Sequence, residues 1–367
     1  MRNFKHFMDC WDYSTDELRA LVQLIIQLKE AAKRGRCPKL LDGQSLGMIF
    51  KGNSTRTRVS FEVAATQLGG HALYLTGGEG GELHLGKRET IGDTARVVSS
   101  MVDGIAMRWR PQRELEDFAS QCAVPFFNGM DDARHPTQTL CDLVTIVENL
   151  PEGKELKDIT LTFLGMSIVR ESSANDLAKL LPRFGADVVI CSPDKYGLGQ
   201  EYDPDSTERV LLTRTRRAQA CNEGGGHIYE VSVPAEAIAE ADYLYTGCVC
   251  YEGTETKAHF DKYYTDFTKT GYHVRKELID SRPGIMTMHY LPALRGKEMD
   301  DYSMDFEGSL LWKQAENRLH TQRGLMAYLM GPLATSFREA SKTPEEELAK
   351  ETIKKMREQF GTGYTHY

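Results

Sequence analysis

The chain has 367 residues, of which 41% are hydrophobic and 27% are charged, and its formal net charge at pH 7 is -8. This length is too great for one compact core, so two domains are expected. The acidic balance argues against a nucleic-acid-binding surface, and no apolar run approaches the length of a membrane span.

The first part of the sequence alternates between short apolar runs of strand length and helical patterns. Ser45–Phe50 predicts the first strand, and apolar residues then recur at helical spacing until Gly69 and Gly70 end the pattern. Further strands are predicted over residues 72–75, 104–108 and 124–127, and helices over 94–101 and 138–150.

A polar, turn-forming stretch, Pro151–Asp158, interrupts this alternation. Strands are predicted again over residues 159–165, 187–192, 227–231, 242–247 and 285–292. The pattern predicts an α/β protein with two doubly wound parallel-sheet domains, residues 1–150 and 151–330. The tail, residues 331–367, predicts an extra charged C-terminal helix on a surface or a neighbouring subunit, with Thr343 as its N-cap and Pro344 at its first position.

The eight cysteines occur singly, apart from Cys248 and Cys250. A spacing of one residue is not a zinc pattern, and no Cys-x-x-Cys occurs. The first residues, "MRNFKHFMDCWDY", lack the apolar core of a signal peptide. These observations predict a reduced, cytoplasmic protein without a metal site. The absence of Gly-x-Gly-x-x-Gly after a strand and of a P-loop argues against a nucleotide-binding dehydrogenase.

A cluster of donors lies in "FKGNSTRTRVSFE" (Phe50–Glu62), where the first strand turns into a helix. Unpaired backbone N–H groups and the positive end of the helix dipole point outward at such a position. Ser54, Thr55 and Thr57 add hydroxyls, and Arg56 adds a fork that matches phosphate oxygens. The cluster therefore predicts an anion site. The alternative is ordinary helix capping by Ser54 or Thr55, with solvated arginines.

Three more polar clusters fall at the carboxyl ends of predicted strands. Arg108 ends one strand, "HPTQ" (His135–Gln138) opens a helix after another, and "HYLP" (His289–Pro292) ends a strand in the second half. Ligands bind at this edge of parallel sheets, so the clusters are expected to converge on a cleft between the domains. Singly, each has an ordinary interpretation as a solvated strand end, a helix start or a core histidine. Their joint placement indicates function.

"STRTRVSFE", "HPTQ" and "HYLP" in this order, with Arg108 between the first two, resemble the aspartate/ornithine carbamoyltransferase family over about Asp16–Met330. "ENRLHTQRGLMAYLM" (Glu316–Met330) looks like the family's returning C-terminal helix, here 312–330. Within the family the chain looks closest to the ornithine/putrescine branch, because "SLGMIF", "TQLGGHALYL" and the extra C-terminal helix are similar to putrescine carbamoyltransferases. The resemblance implies a homotrimer of two-domain subunits, each with a carbamoyl phosphate-binding domain and an amine acceptor-binding domain joined by interdomain helices.

The resemblance also implies roles for individual residues. Those that would hold carbamoyl phosphate are Ser54, Thr55, Arg56, Thr57, His84, Arg108, His135, Gln138, Tyr290, Leu291 and Arg318. Arg56, Arg108 and His135 are the catalytic candidates, and His84 lies on the loop Thr76–Thr90, which would reach into the site of a neighbouring subunit. The acceptor would meet Arg170, Glu252, His289, Tyr290, Leu291 and Pro292.

The implied activity moves a carbamoyl group from carbamoyl phosphate to an amine of a small amino acid or polyamine, without a cofactor or metal, as part of arginine metabolism. The residues suit this chemistry, because negative charge grows on the carbonyl oxygen and His135 and Arg108 can stabilise it. The alternative is a catalytically silent homologue that binds carbamoyl phosphate or another anion and has a regulatory role.

Four positions depart from the family pattern. Tyr290 stands in place of a cysteine, Gly247 replaces an aspartate after "YT", and His84 replaces a glutamine. Arg170 lies where an amide usually meets the acceptor, although it could instead pair with a neighbouring acid on a helix surface. Glu252 could supply the lost carboxylate. The acceptor therefore stays open among ornithine, putrescine and other amines, and Arg170 favours one that bears a carboxylate.

Overall fold

The computed structural model describes residues 5–52, 54–78, 81, 83, 85–165, 172–193, 197, 207–248, 269–331 and 343–360. The chain divides into two compact units, Met1–Val144 with Glu316–Tyr367, and Thr145–Ala315. It passes from the first unit to the second within the helix Pro136–Glu148, and back within the helix Leu311–Leu329. Both crossings are therefore made by continuous helices.

Strands and helices alternate along the chain, which confirms the predicted parallel α/β class. In chain order the elements are α1 (Thr15–Lys33), β1 (Ser45–Lys51), α2 (Thr55–Gln67), β2 (His71–Gly77), α3 (Ile91–Ser99), β3 (Gly104–Arg108), α4 (Gln112–Ser120), β4 (Phe126–Met130), α5 (Pro136–Glu148), β5 (Thr160–Leu164), α6 (Ser172–Leu180), β6 (Asp187–Cys191), α7 (Thr207–Gly224), β7 (Ile228–Val231), α8 (Pro234–Ala237), β8 (Tyr243–Thr246), α9 (Lys276–Asp280), β9 (Met286–His289), α10 (Asp301–Asp305), α11 (Leu311–Leu329) and α12 (Pro344–Phe360).

The sheet of the first unit is parallel and has the strand order β2-β1-β3-β4. β1 is buried from Leu46 to Phe50, as its continuous apolar sequence predicts for a central strand. The strand order reverses between β1 and β3, and Phe50 lies opposite Arg108 in their register. In open parallel sheets such a reversal opens a crevice for ligands, so the residues that follow β1 and β3 are placed to bind one.

One strand of this sheet differs from its prediction. The apolar run Val124–Phe127 predicts a strand, but β4 begins at Phe126 and continues to Met130. Pro125 has no N–H to donate to the ladder. The polar end of β4 is instead held by Phe7, whose N–H donates to the Phe126 carbonyl (2.7 Å) and whose carbonyl accepts from the Asn128 N–H (2.9 Å).

The sheet of the second unit is parallel and has the order β7-β6-β5-β8-β9. Its strand order reverses between β5 and β8, and Thr246 lies opposite His289 at the ends of β8 and β9. The run Ile285–Pro292 predicts one strand, yet β9 ends at His289. The chain turns there because Leu291 has a φ of 56°, in the left-handed region, which an extended strand does not use.

The C-terminal helix α12 begins as predicted, with the Thr343 hydroxyl accepting from the Glu346 N–H (3.2 Å) and Pro344 at its first position. α12 packs against α1 in the first unit. The buried Arg357 donates from Nη2 to the carbonyls of Tyr328 (2.7 Å) and Gly331 (2.9 Å), where α11 ends. The tail is thus joined to α11, the same helix that carries Arg318.

No helix within the described ranges combines the length and apolar character that crossing a membrane requires.

Candidate active site

The N-terminus of α2 follows β1 directly and carries the predicted anion-binding residues. Ser54 is the N-cap, but its side chain makes no capping hydrogen bond. Helix capping by the Ser54 side chain therefore does not explain why a serine occupies this position. Thr55 is exposed, Arg56 is half-buried and Thr57 is buried. The first N–H groups of a helix have no partners within the helix, so this terminus offers donors and a positive dipole to an anion.

Two arginines flank a buried tryptophan just beyond β3. Trp109 is 3% exposed, and its Nε1 donates to Glu114 Oε2 (2.6 Å). Its ring fills the space beside Gly77, where an added Cβ would lie 2.1 Å from Trp109 Cζ3. Residues i and i+2 of an extended chain point to the same side. Arg108 and Arg110, on either side of this anchored ring, both lie close enough to His135 for their charges to lower its pKa.

A tight turn built on Asp131 presents His135 at the start of α5. The fully buried Asp131 carboxylate accepts the N–H groups of Ala133 and Arg134 (both 2.7 Å) and the Arg134 guanidinium (2.8 Å). The His135 carbonyl then accepts the N–H groups of Gln138 (2.8 Å) and Thr139 (3.0 Å), which begins the helix. His135 is itself 7% exposed. The turn thus fixes the imidazole at a buried helix start.

Arg318 of α11 joins the α2 terminus to this turn. Its Nη2 donates to the Thr57 hydroxyl (3.0 Å), and its Nη1 donates to Gln138 Oε1 and lies 3.5 Å from His135 Nε2. The Gln138 amide is oriented from its other side, because Nε2 donates to Asp142 Oδ1 (2.7 Å). One guanidinium, 4% exposed, therefore fixes three predicted site residues relative to one another.

The imidazole of His135 is neutral in this environment. Burial lowers its pKa well below the usual value, and the positive charges of Arg318, Arg108, Arg110 and Arg56 lower it further. The contact with Arg318 fits a neutral ring, since a guanidinium has only N–H donors to offer. The concentration of positive charge that keeps His135 neutral is also what would attract an anion.

The ends of β8 and β9 place a second set of predicted residues together, in the second unit. The His289 N–H donates to Gln314 Oε1 (2.9 Å), and His289 Nδ1 accepts from the Leu291 N–H (2.8 Å). Tyr290 Oη accepts from the Cys248 N–H (2.7 Å), and the Cys248 thiol donates to the Pro292 carbonyl (3.1 Å). The two strand ends are therefore tied to each other by hydrogen bonds.

Three predicted site residues, His84, Arg170 and Glu252, lie outside the described residues. Among the residues that are described, no group of three His, Cys, Asp or Glu side chains is placed to hold a metal ion.

Models of one protein family match both parts of the chain. The aspartate/ornithine carbamoyltransferase carbamoyl-P binding domain matches residues 5–148, and the Asp/Orn binding domain of the same family matches residues 157–329. The chain belongs to the aspartate/ornithine carbamoyltransferase family. It is thus an enzyme of carbamoyl transfer, and the alternative of a silent anion-binding homologue is not supported.

Individual members of this carbamoyltransferase family agree in sequence and in fold. The chain is 38% identical over 332 residues to an ornithine carbamoyltransferase of Pyrococcus abyssi, covering 89% of this chain and 96% of the relative. It is 36% identical over 340 residues to a putrescine carbamoyltransferase of Mycoplasma capricolum, covering 90% and 88%. The structure of an ornithine carbamoyltransferase from Pyrococcus furiosus matches with a TM-score of 0.79 and 36% identity, covering 90% of this chain and 98% of that one.

Three further residues of this carbamoyltransferase were not predicted from the sequence. They belong to the set around His135 and to the set at the ends of β8 and β9. Arg110 adds a fourth cation near His135, Asp142 orients Gln138, and Gln314 supports both His289 and Tyr245, whose Oη accepts from Gln314 Nε2 (3.1 Å). Spacing could have indicated two of them. Arg110 is two residues from Arg108 across a tryptophan, and Asp142 is one helical turn from Gln138.

Proposed function

We propose that this chain transfers the carbamoyl group of carbamoyl phosphate to the amine of a small amino acid or polyamine and releases phosphate. In this proposal residues 1–150 and the returning helix, 312–330, bind carbamoyl phosphate, residues 151–330 bind the acceptor, and 331–367 form a tail. The observation that carries the proposal is the contact of Arg318 with Thr57, Gln138 and His135 beside the α2 terminus.

The phosphate group is assigned to the start of α2. Hydroxyls of Ser54, Thr55 and Thr57 and the N–H groups of the first helical turn supply hydrogen bonds, and Arg56 supplies a charged fork. As the C–O bond to phosphate breaks, charge accumulates on the leaving oxygen. The same donors become stronger partners at that stage, so they stabilise the transition state more than the bound substrate.

The carbamoyl oxygen is assigned to His135 and Arg108, with Gln138 and Arg318 beside them. A neutral imidazole has one N–H, which can donate a hydrogen bond to the oxygen, and one nitrogen that can accept from Arg318, and the low pKa of His135 keeps the ring in that form. Arg108 adds a permanent charge where negative charge develops. Donors fixed in advance, as Arg318 and Asp142 fix Gln138, do not have to reorganise during reaction.

The reaction is a single acyl transfer. The nitrogen of a neutral amine bonds to the carbamoyl carbon, the bond from that carbon to the phosphate oxygen breaks, and the nitrogen's surplus proton passes to the departing phosphate. Holding the two reactants in register can supply roughly 7–11 kcal/mol of the barrier.

The relatives are named ornithine and putrescine carbamoyltransferases, so ornithine and putrescine are the first candidate acceptors. His289, Tyr290, Leu291 and Pro292 are assigned to the acceptor, together with Arg170 and Glu252. Arg170 favours an amine that carries a carboxylate, because a guanidinium near a second ammonium would repel it. Carboxylate-bearing amines should therefore have a higher kcat/KM than putrescine, and Arg170→Ala should narrow that gap. Putrescine as the best substrate, with a ranking unchanged by Arg170→Ala, would exclude this role.

A homotrimer with shared sites is also part of the proposal, in which the loop Thr76–Thr90 supplies His84 to a neighbouring subunit. Val59, Val63 and Leu73 are 52%, 36% and 40% exposed in the first unit, as expected of apolar side chains that a partner covers.

Sedimentation should give the mass of three chains. Leu73→Glu should lower both that mass and the activity, whereas Tyr229→Glu, a similarly exposed site in the second unit, should lower neither. A fully active monomer would refute shared sites. The protein is further proposed to act in the cytoplasm, in arginine metabolism.

The decisive experiment is a panel of amines incubated with carbamoyl phosphate and scored for the ureido product. Ornithine, putrescine, agmatine, lysine, aspartate and acylated ornithines cover the candidate acceptors. At least one should give product with wild-type protein and none with Arg56→Ala. Tight binding of carbamoyl phosphate with no product from any amine would contradict the proposal and support a silent binding protein.

A further inference from the structure

A cavity of about 370 Å³ lies between the helix α7 and the edge strand β7 of the second unit. Arg217, Ala218 and Cys221 form its helical side, because residues three and four apart share one face of a helix. The segment His227–Glu230 forms the other side. Small-molecule sites have volumes of roughly 300–1,000 Å³, so this α7–β7 cavity is large enough for a small ligand.

Three glycines hold the two sides of the α7–β7 cavity close together. An added Cβ at Gly224 would lie 2.1 Å from the Pro182 carbonyl oxygen, and one at Gly226 would lie 2.2 Å from that of Ala186. Gly225, between them, has a φ of 81°, which favours glycine. Only a chain without side chains can pass so close to this backbone. The connection is therefore short and tight, and it brings β7 directly against the end of α7.

Arg217 is a buried cation on the wall of this cavity. Its side chain lines the cavity although the residue is only 8% exposed. Burial lowers its pKa, and the negative charge of Glu230 opposes that shift. Within the described residues Arg217 forms no hydrogen bond or ion pair. A guanidinium has five N–H donors, and burying them without acceptors is costly, so a carboxylate in the cavity would offset that cost.

Glu230 places a negative charge on the same cavity. The third ionisable side chain there, His227, is already matched, because its Nδ1 lies 3.1 Å from Asp187 Oδ1. Arg217 would attract a simple anion and Glu230 would repel it, and a doubly charged phosphate would be repelled more strongly. A molecule that carries a carboxylate and an ammonium on neighbouring atoms can satisfy both residues at once. The charges therefore fit a zwitterion better than an anion.

The α7–β7 cavity is separate from the residues assigned to the reaction. The strand order β7-β6-β5-β8-β9 puts β6 and β5 between β7 and β8. Neighbouring strands are about 4.8 Å apart, so β7 and β8 are separated by roughly 14 Å. A ligand in the cavity thus does not occupy the place of an acceptor at His289–Pro292.

We propose that the α7–β7 cavity binds the zwitterion of an apolar α-amino acid. Its carboxylate would bind Arg217, its ammonium would face Glu230, and its side chain would lie along Ala218 and Ile228. This is a second ligand site of the protein, and it does not depend on which amine accepts the carbamoyl group.

The thiol of Cys221 gives a local readout of occupancy, because it lines the cavity and is half-buried. Its alkylation by iodoacetamide is followed by mass spectrometry of the peptide, at alkaline pH because burial raises the pKa of this thiol. Leucine, methionine and phenylalanine are the probes. At least one should slow the alkylation of Cys221.

Two analogues of leucine each lack one charge: isocaproate has no ammonium, and isoamylamine has no carboxylate. Leucine should protect Cys221 at a concentration about tenfold or more below that needed for isocaproate. Isoamylamine and inorganic phosphate should protect less than isocaproate. Glu230→Gln should remove the advantage of leucine over isocaproate, because the partner of the ammonium is then neutral.

Arg217→Met keeps a long side chain but removes the charge, and it should abolish protection by every probe. Its thermal midpoint should equal or exceed that of wild type, since the variant no longer buries a charge. The matched control is Arg216→Met, at the neighbouring arginine of α7, which should keep wild-type protection.

Three results would overturn this proposal: no protection by any of the three amino acids, equal protection by leucine and by isocaproate or phosphate, or protection that survives Arg217→Met. A lower thermal midpoint in Arg217→Met with protection retained would show that Arg217 serves the fold instead. All these measurements are made without carbamoyl phosphate, so their outcome is independent of whether any amine is carbamoylated.

Discussion

Permanent charges surround His135 in the proposed anion-binding set of the first unit, whereas neutral rings and backbone groups form the described strand ends of the second. Around His135 four arginines contribute positive charge, and one of them, Arg318, is hydrogen-bonded to Gln138 and Thr57. At the ends of β8 and β9 the hydrogen bonds instead join main chain to Tyr290, His289 and Gln314. A charged set selects its ligand by electrostatics, while a neutral set selects by shape, so the two should respond differently to mutation, pH and salt.

The largest effect is expected from removing one of the four charges. Arg56→Ala should weaken carbamoyl phosphate binding by about 100-fold or more, because a bond to a charged group contributes roughly 1.5–3 kcal/mol and a bidentate pair more. Titration calorimetry measures this directly. Arg34→Ala, an exposed arginine on the same unit, is the control and should leave the affinity unchanged. Unchanged affinity in Arg56→Ala would remove the phosphate assignment.

A smaller loss is expected when the charge is kept and its geometry is changed. Arg318→Lys retains a cation but cannot reach Thr57 and Gln138 with one planar fork, so KM for carbamoyl phosphate should rise about tenfold. KM for the amine should change little, since the acceptor residues are held by Gln314 instead. Steady-state kinetics in which both substrate concentrations are varied gives the two KM values separately. An equal rise in both would contradict the prediction that Arg318 affects carbamoyl phosphate and not the amine.

Low pH should lower the folding stability of the protein, because His135 in the charged set is neutral in the folded state. The pKa of His135 lies well below its unfolded value, about 6.5. As the pH falls below about 6.5 the unfolded chain binds a proton that the folded chain does not, so stability is full above that pH and is lost below it. The loss attributable to His135 is at most about 1.4 kcal/mol per pH unit.

Urea unfolding at pH 7.5 and pH 5.5 measures this dependence. Burial also lowers the pKa of His6 and of His320 to about 4, so the wild-type protein has more than one acid-sensitive histidine. The part due to His135 is the difference between wild type and His135→Gln, whose stability should depend less on pH. His71→Gln, at an exposed position on β2, should keep the wild-type dependence. Identical pH dependence in wild type and His135→Gln would show that this imidazole is not held neutral.

The smallest expected effect comes from salt. Raising the ionic strength from about 0.1 M to about 1 M shortens the Debye length from roughly 10 Å to 3 Å. KM for carbamoyl phosphate should then rise several-fold, because its site is built from charge. KM for an amine with an uncharged far end should stay nearly constant. Initial rates across a potassium chloride series test this, and parallel changes in both KM values would mean that the acceptor also depends on charge.

The sequence predicted a region well where its contacts join residues close together in the chain, and poorly where they join residues far apart in the chain. The β1–α2 turn could be predicted because its strand, hydroxyls and arginine are adjacent in the chain, and the helix indeed begins at Thr55. The family motifs predicted Arg318 as a site residue. Its hydrogen bond to Thr57, however, spans 261 positions, and no local pattern encodes such a contact.

The strand ends of the second unit were harder to interpret for the same reason. The sequence marks Gly247 and Tyr290 as two separate departures from the family pattern. Only the pairing of β8 with β9 shows that one residue occupies the space of the other. Likewise Gln314, on the helix α11, supports His289 of β9 from 25 positions away. Strand pairing and packing between distant segments thus decide what local periodicity cannot.

Arg357 of the last helix, α12, stabilises the end of the preceding helix, α11. Its guanidinium, whose pKa burial lowers to about 10, donates to carbonyls at the end of α11, the negative pole of that helix. Truncating the chain at Gly331 would therefore destabilise α11, because the last turn of that helix would lose the Arg357 cation and fray. Because Arg318 lies three turns earlier on the same helix, we expect a protein trimmed in this way to keep every proposed catalytic side chain and yet to bind carbamoyl phosphate less tightly. Expression boundaries and affinity tags are accordingly best chosen to leave residues 343–360 intact.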